Sequence, residues 1–283
     1  MINYSSMQLI NNNLWFHHSI DKAPFEYSTH LHDGYEIYFL ISGGATSYIE
    51  GTCYSLVKND ILIINTKELH RLFINSDTVY ERKVLHFKPE ILSIFDFTKY
   101  NLLSCFENRK LGHNNLLKGN DKTLKEIDYI LTKVEECTKV NTTENQLLVK
   151  TYIIQLLIVL NKLYSEQEIS PNFILDDGLT SNILNYINKN LSSKITLDLL
   201  QEKFYLNKYY LSHYFKENTG FTLIEYLTYK RIMKAKELIL KDIPINQLSM
   251  TVGFRDYSNF YKAFKKITGL SPSQYKKKIG YGS

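Results

Sequence analysis

The segment Leu206 to Gly220, LNKYYLSHYFKENTG, returns 49 positions later as Arg255 to Gly269, RDYSNFYKAFKKITG, with Phe215/Phe264, Lys216/Lys265, Thr219/Thr268 and Gly220/Gly269 identical. A repeat this short restricts the end of the chain to two copies of one small helical unit. Each copy reads as a short helix, a tight turn and a second helix rich in Lys and Tyr. That is the sequence shape of a helix-turn-helix, whose second helix enters a DNA major groove. Two copies predict a chain that grips a periodic partner twice, and double-stranded DNA is such a partner.

Helix periodicity and capping residues place seven helices beyond residue 178: 179–190, 197–204, 208–218, 223–240, 245–252, 257–267 and 272–278. Thr196 is placed to cap the second, Thr222 with Glu225 forms a capping box for the fourth, and Ser271, Pro272 and Gln274 open the last. Leu211 and Phe215 in the first copy, and Phe260 and Phe264 in the second, stand at i and i+4 and must face a core. The opposite faces of the two recognition helices carry the polar residues.

Residues near the start of a recognition helix reach base edges, whereas those farther along meet phosphates. Tyr209, Ser212, His213, Tyr257, Ser258, Asn259 and Lys262 are therefore expected to read bases, and Lys208, Lys216, Lys265 and Lys266 to hold the backbone. Asn can pair bidentately with adenine and Lys can donate to guanine. The helix over 223–240 is about 27 Å long at ~1.5 Å per residue. A spacer of that length sets two recognition helices roughly one DNA turn, about 34 Å, apart.

Charge agrees with this division. Residues 1–178 hold 17 Lys/Arg against 22 Asp/Glu, while residues 179–283 hold 17 against 7, so the halves carry −5 and +10. The electrostatic footprint of a polyanion lies on the repeat-bearing half. Cys53, Cys105 and Cys137 have no metal-type spacing and fit buried thiols in a reducing compartment, with no disulfide framework. The start MINYSSMQLI lacks the pattern of a signal peptide. The apolar stretch 147–160 contains Lys150 and Gln155 and falls short of the roughly 20 residues a bilayer needs. A soluble, cytoplasmic protein without a membrane partner is expected.

From Phe25 to Phe87 the chain alternates short β-rich runs, such as EIYFLIS, ATSYIEG, NDILIIN and TVYERKVLHF, with turn residues at Gly43-Gly44 and Asn59-Asp60. This predicts a small antiparallel barrel or sandwich. Helices follow at 124–140 and from Glu144 to Tyr164, the latter opened by Thr143 with Gln146 as a capping box. That helix is apolar on nearly every face and must be buried on more than one side. A second copy of the chain is the expected cover, giving a homodimer through Glu144 to Tyr164. The helices of residues 90–140 are the alternative cover. SEQEISPNFILDDG reads as a linker. The organisation expected is an α+β chain: residues 1–168 a β-barrel with dimerisation helices, 169–178 a linker, 179–283 an all-α double helix-turn-helix.

The string YLSHYFKENTGFTLIEYL, followed by Lys230, Arg231, Ile232 and Ala235 and then INQLSMTVGFRDYSNFYKAFKKITGLSPSQY, resembles the double helix-turn-helix of the AraC/XylS transcription regulators. The resemblance covers roughly the last 105 residues. Gln247, Ser249 and Met250 depart from the acidic, Ala-rich pattern usual there. In the β half, His30, His32, Glu36 and Gly43 are similar to a first cupin motif, and Asn59, Asn65, Lys67 and His70 to a second. Asn59 and Lys67 stand where cupins place Gly, and Asn65 where they place Pro.

The resemblance implies a non-enzymatic, effector-responsive regulator, an activator that contacts RNA polymerase. It implies a cupin-like sensor that takes a small effector, most often a sugar, without a cofactor. Trp15, His30, His32, Glu36, Tyr38 and His70 are the expected pocket, with donors and acceptors for hydroxyls and rings to stack on sugar CH faces. Three alternatives stay open at this point. One is a divalent metal on His30, His32, Glu36 and His70. Another is a metal-dependent cupin enzyme with a helical appendage, and the third a ligand-independent activator.

Overall fold

The computed structural model describes residues 4–11, 13–21, 25–30, 32, 34–74, 79–92, 100–167, 178–241 and 243–280. They divide into two compact units, Met1–Leu175 and Asp176–Ser283. The linker expected over 169–178 lies outside the described residues, apart from Gly178.

The first unit holds strands β1 (Tyr4–Asn11), β2 (Leu14–Asp21), β3 (Phe25–His30), β4 (Tyr35–Ser42), β5 (Ala45–Ile49), β6 (Thr52–Leu56), β7 (Ile61–Ile64), β8 (His70–Ile74), β9 (Tyr80–Phe87) and β10 (Leu116–Leu117). They form two antiparallel sheets, one ordered β1-β2-β9-β4-β7-β10 and the other β3-β8-β5-β6. The sheet-rich unit thus begins two strands earlier than the pattern from Phe25 implied.

Strand periodicity of two decides what each sheet face holds. On β4, Tyr35, Ile37 and Phe39 point into one apolar cluster with Phe16, Ile61, Ile63, Leu85 and Phe87, whereas Tyr38 and Leu40 join Leu62, Ile64, Leu72 and Val84 in another. The first cluster lies under helices and the second between the sheets. Because both faces of β4 are covered, its stretch from Ile37 to Ile41 reads as an unbroken apolar run rather than an alternation.

Two turns depart from the expected chemistry and are held in other ways. Asn59 takes φ +72°, the left-handed conformation that glycine adopts most easily and that asparagine tolerates. Asn65 builds its own turn: its Oδ1 accepts from the Lys67 amide at 3.0 Å, and its Nδ2 donates to the Phe106 carbonyl at 2.9 Å.

Helices α1 (Ser104–Glu107), α2 (Asp121–Thr138) and α3 (Thr143–Glu166) close the helix-side face. Val149, Ile153, Leu156, Leu157 and Leu160 of α3 pack with Ile127, Ile130, Leu131 and Val134 of α2 over the six-stranded sheet. The cap of α3 is Thr142, whose side chain accepts from the Asn145 amide, and not Thr143; Gln146 donates instead to Asn141. The α3 face that α2 and the sheet leave uncovered keeps Leu147, Leu148 and Ile158 exposed, at 53, 44 and 47%. At 24 residues α3 is long and apolar enough to cross a bilayer, beyond what the stretch 147–160 implied, but its buried face makes it a core helix of this unit. Cys53 and Cys105 are buried, whereas Cys137 is half-buried, short of the burial expected.

The second unit holds α4 (Leu179–Lys189), α5 (Leu197–Phe204), α6 (Lys208–Thr219), α7 (Leu223–Leu240), α8 (Ile245–Thr251), α9 (Tyr257–Thr268) and α10 (Pro272–Gly280). Thr196 caps α5, Thr222 and Glu225 form a reciprocal box at α7, and Ser271 and Gln274 exchange bonds at α10. The residues shared by the two copies have matching tasks. Phe215 and Phe264 are buried, and Gly220 and Gly269 take φ +76° and +75° as left-handed helix caps. Thr219 and Thr268 each donate to a carbonyl four residues back, from Phe215 and Phe264, and accept from an amide two residues on.

Candidate effector pocket and candidate DNA-reading surface

The inner face of the sandwich lines a partly open cavity of about 100 Å³. Register explains its lining. Trp15 pairs with His86, which pairs with Glu36, so three adjacent strands place these side chains in one row. The next inward row is His17, Val84, Tyr38 and Leu62. From the other sheet His30 pairs with His70, and a register shift between Tyr27 and His30 lets both line the cavity.

Of the residues expected here, Trp15, His30, Glu36, Tyr38 and His70 line the cavity, and His32 adjoins it through Glu36. His30 and Glu36 do not share a strand. His30 ends β3 in one sheet, Glu36 lies on β4 in the other, and they converge because the chain crosses between sheets. His17, Tyr27, Arg82 and His86 also line the cavity, and sequence reading missed them. Period two on YERKVLHF could have found Arg82 and His86, which share parity with inward Val84.

Glu36 is the electrostatic centre. Its Oε2 lies 2.8 Å from His32 Nε2, 2.8 Å from His86 Nε2 and 3.4 Å from His70 Nε2. Burial alone would raise this carboxyl, but the His86 charge and the bonds from the histidines override it and hold it well below the usual carboxylate range. Burial pulls His32 down against the attraction of Glu36. It also acts to lower His70, where interaction with Glu36 prevails and raises it. Trp15 Nε1 and Tyr38 Oη are buried without a hydrogen-bond partner. Orphaned donors on a cavity wall are where a bound molecule would supply the missing acceptors. His30, His32, Glu36 and His70 can each offer one metal-ligand atom, all within 4.8 Å of one another.

In the second unit, Tyr209, His213, Tyr257, Ser258, Asn259 and Lys262 are exposed on α6 and α9, and Ser212 is half-buried. Lys208, Lys216, Lys265 and Lys266 are exposed as well. Tyr209 stands out at 77% exposure, a large ring with no packing role. Several of these side chains are engaged locally: Asn259 Nδ2 donates to Asp256 Oδ2 at 2.6 Å, His213 Nε2 pairs with Glu217 at 3.1 Å, and Lys208 Nζ lies 3.5 Å from Asp198 Oδ1. Asp256 also accepts from the Asn259 amide, so it fixes the start of α9. The two helices thus expose unlike sets of polar and aromatic side chains.

Residues 17–99 match the AraC-like ligand binding domain family, and residues 200–278 match a helix-turn-helix domain family. The chain is similar to the uncharacterized HTH-type transcriptional regulator YdiP of Escherichia coli, 24% identical over 267 residues, covering 92% of this chain and 84% of that protein. It is similar to the lactose operon transcription activator of Staphylococcus xylosus, 26% identical over 177 residues, covering 62% and 63%. It matches YtdP of Bacillus subtilis over 35% of this chain and only 13% of that protein, at 28% identity, so it spans a part of some relatives. Among solved structures, ToxT of Vibrio cholerae aligns over 94% of this chain and 98% of its own, at 15% identity and a TM-score of 0.38.

Proposed function

The chain belongs to the AraC-type DNA-binding transcription regulators that carry a ligand-binding domain, and from that premise we propose that it switches transcription in response to a sugar. The observation that carries the effector class is the polar wall of the cavity. Trp15 Nε1 and Tyr38 Oη wait for acceptors beside the Glu36 carboxylate, and the Trp15 ring offers a face for CH groups. A polyhydroxylated molecule supplies acceptors, donors and CH faces together.

Activation is the direction of control, through contact with RNA polymerase, in line with the activator from Staphylococcus xylosus. A second copy covers Leu147, Leu148 and Ile158 on α3, which makes the chain a cytoplasmic homodimer. Tyr209, Ser212 and His213 read one major groove, and Tyr257, Ser258, Asn259 and Lys262 the next, while the flanking lysines hold phosphates. Ligand acts by binding one arrangement of the dimer better than the other. Family and named relatives favour this reading over a metal-dependent cupin enzyme.

The test is thermal unfolding against a library of sugars and other small metabolites. A ligand at 100 times its Kd stabilises by about 2.7 kcal/mol. A stabilising sugar whose effect is lost in Tyr38→Phe and Trp15→Phe supports the pocket. No shift from any sugar, or a shift untouched by both substitutions, would overturn it. Mapping of bound genomic DNA then identifies the controlled genes.

A further inference from the structure

Where the two repeats meet, the second unit opens a groove of about 650 Å³. Its walls come from three places in the chain: Lys194 from the segment between α4 and α5, Arg231 from the connecting helix α7, and Arg255, Asp256 and Asn259 from the turn before α9 and the start of that helix. Charge inside it is one-sided. Three cationic side chains stand against one carboxylate, Asp256, whose two oxygens are both occupied by Asn259, the amide donating at 2.8 Å and Nδ2 at 2.6 Å. Arg231 gives Nε and Nη2 to the carbonyls of Leu191 and Ser193, which leaves Nη1 without a partner among the described residues. Lys194 and Arg255 are exposed, and among the described residues their side chains have no ion-pair or hydrogen-bond partner. Like charges gathered without counter-ions favour an anion among them.

The repeat itself singles out Arg255. In the first copy the corresponding position, 49 residues earlier, is Leu206, which is half-buried. The second copy has therefore exchanged a packing residue for an exposed cation, and placed it in the groove that Lys194 also lines. The groove is continuous with the candidate DNA-reading face, because Asn259 belongs to both. When two helices enter successive major grooves from one side of a duplex, the backbones bordering the intervening minor groove pass between them. That stretch carries one negative charge per about 1.7 Å of duplex. A cationic groove at the start of the second reading helix, walled on its other side by the approach to the first repeat, lies in its path.

We propose that this groove seats the phosphodiester backbone between the two major grooves, with Lys194, Arg231 and Arg255 donating to its phosphates. The seat rests on the reading of DNA by α6 and α9, and neither helix supplies its three cations. Contacts from both repeats to one stretch of backbone fix the spacing at which the two base sequences are read.

The test compares full-length wild type with Lys194→Gln, Arg255→Gln and the double variant, leaving Arg231 in place because it ties the junction. Two probes are used, a duplex selected by the wild-type chain from a random library and an unselected random duplex. Each single change is expected to weaken both duplexes alike and to lower the slope of log Kd against log salt by about 0.9, and the double change by about 1.8. Lys122→Gln, on α2 of the first unit, should leave the slope unchanged. On the selected duplex, ethylation of phosphates between the two major grooves should interfere with wild type and lose that effect in the double variant. The wild-type interference pattern decides the matter alone if a variant fails to fold. An unaltered slope in the double variant, or no interference from those phosphates, would overturn the proposal. Tighter DNA binding by the double variant would overturn it too, since the groove would then serve the acidic first half of the chain. If Asn259→Ala loses discrimination while the double variant keeps its slope, base reading stands and the seat alone falls; if wild type binds both duplexes equally, the base reading by α6 and α9 falls instead.

Discussion

Arg231, on the helix that joins the two repeats, donates from Nε to the carbonyl oxygen of Leu191 at 2.8 Å and from Nη2 to that of Ser193 at 2.8 Å. Ser192 Oγ donates to the Thr251 carbonyl at 2.9 Å. The segment after α4, the connecting helix α7 and the end of α8 are thereby tied together. Gly253 sits directly behind it with φ +92°, where a Cβ would lie 2.5 Å from the Leu191 oxygen and 2.9 Å from Arg231 Nε.

Gly253→Ala is therefore expected to destabilise the second unit by about 2 to 4 kcal/mol, since it adds backbone strain and overpacking at once. Urea unfolding of the full chain, followed by a probe in the second unit, measures it. A cost below about 0.5 kcal/mol would mean the junction relaxes freely.

Glu68 and Arg109 form a pair with fully buried side chains, and the same carboxylate accepts from the Gly112 amide at 2.7 Å and Asn115 Nδ2 at 2.9 Å. Arg109→Met leaves that carboxylate buried without its counter-charge, an expected loss of about 3 to 5 kcal/mol. Replacing both members by apolar residues should cost less than the single change. Denaturant unfolding of the two variants decides it, and equal costs would contradict the account.

On DNA, Asn259→Ala is expected to relax sequence preference at one or two base pairs, by about 1 to 3 kcal/mol of discrimination. Lys216→Ala should weaken specific and random DNA alike and reduce the slope of log Kd against log salt by about 0.9. Binding measured at several salt concentrations separates the two. Equal losses on both kinds of DNA for Asn259→Ala would remove its base-reading role.

The Glu225 carboxyl is held below its usual 4.5 by the Thr222 amide and side chain. Its folded value is depressed, so its contribution is complete above the usual value and is lost as pH falls through the folded one. Wild type and Glu225→Ala should differ in Tm at pH 6, and the gap should close only as pH falls below the usual 4.5 and through the depressed folded value. A gap that stays constant with pH would assign the effect to helix propensity.

Burial pushes the Cys105 thiol up to about 12, and it also raises Cys53 and Cys137. Alkylation in native conditions at pH 8 should label half-buried Cys137 first and leave Cys105 unmodified until the protein unfolds. Peptide mass mapping after timed exposure reads the order. Early labelling of Cys105 would show that the packing beneath α3 opens readily.

The helices of the second unit were legible because caps, apolar spacing and a repeat all spoke for the same boundaries; Thr196, Thr222 and Ser271 cap where their sequences place them. The cavity was legible only in part. Glu36 and His70 belonged to a recognisable pattern, but His86 and Arg82 came from β9, whose inward parity depends on its pairing with β2 and β4. Pairing between strands some 50 to 70 residues apart leaves no local trace. The cap of α3 shows a smaller limit of the same kind: Thr142 and Thr143 are adjacent, and only backbone conformation decides between them.

The two recognition helices share their buried and capping residues, Phe215 with Phe264 and Gly220 with Gly269, while their exposed faces differ, with Tyr209 and His213 on one and Ser258 and Asn259 on the other. A dyad-symmetric reader would bind a palindrome equally well in either orientation. If both helices read bases as proposed, a protomer has a heading: turned end for end on the same duplex, each helix would meet the bases meant for the other. Direction along the DNA would then be a property of a single chain.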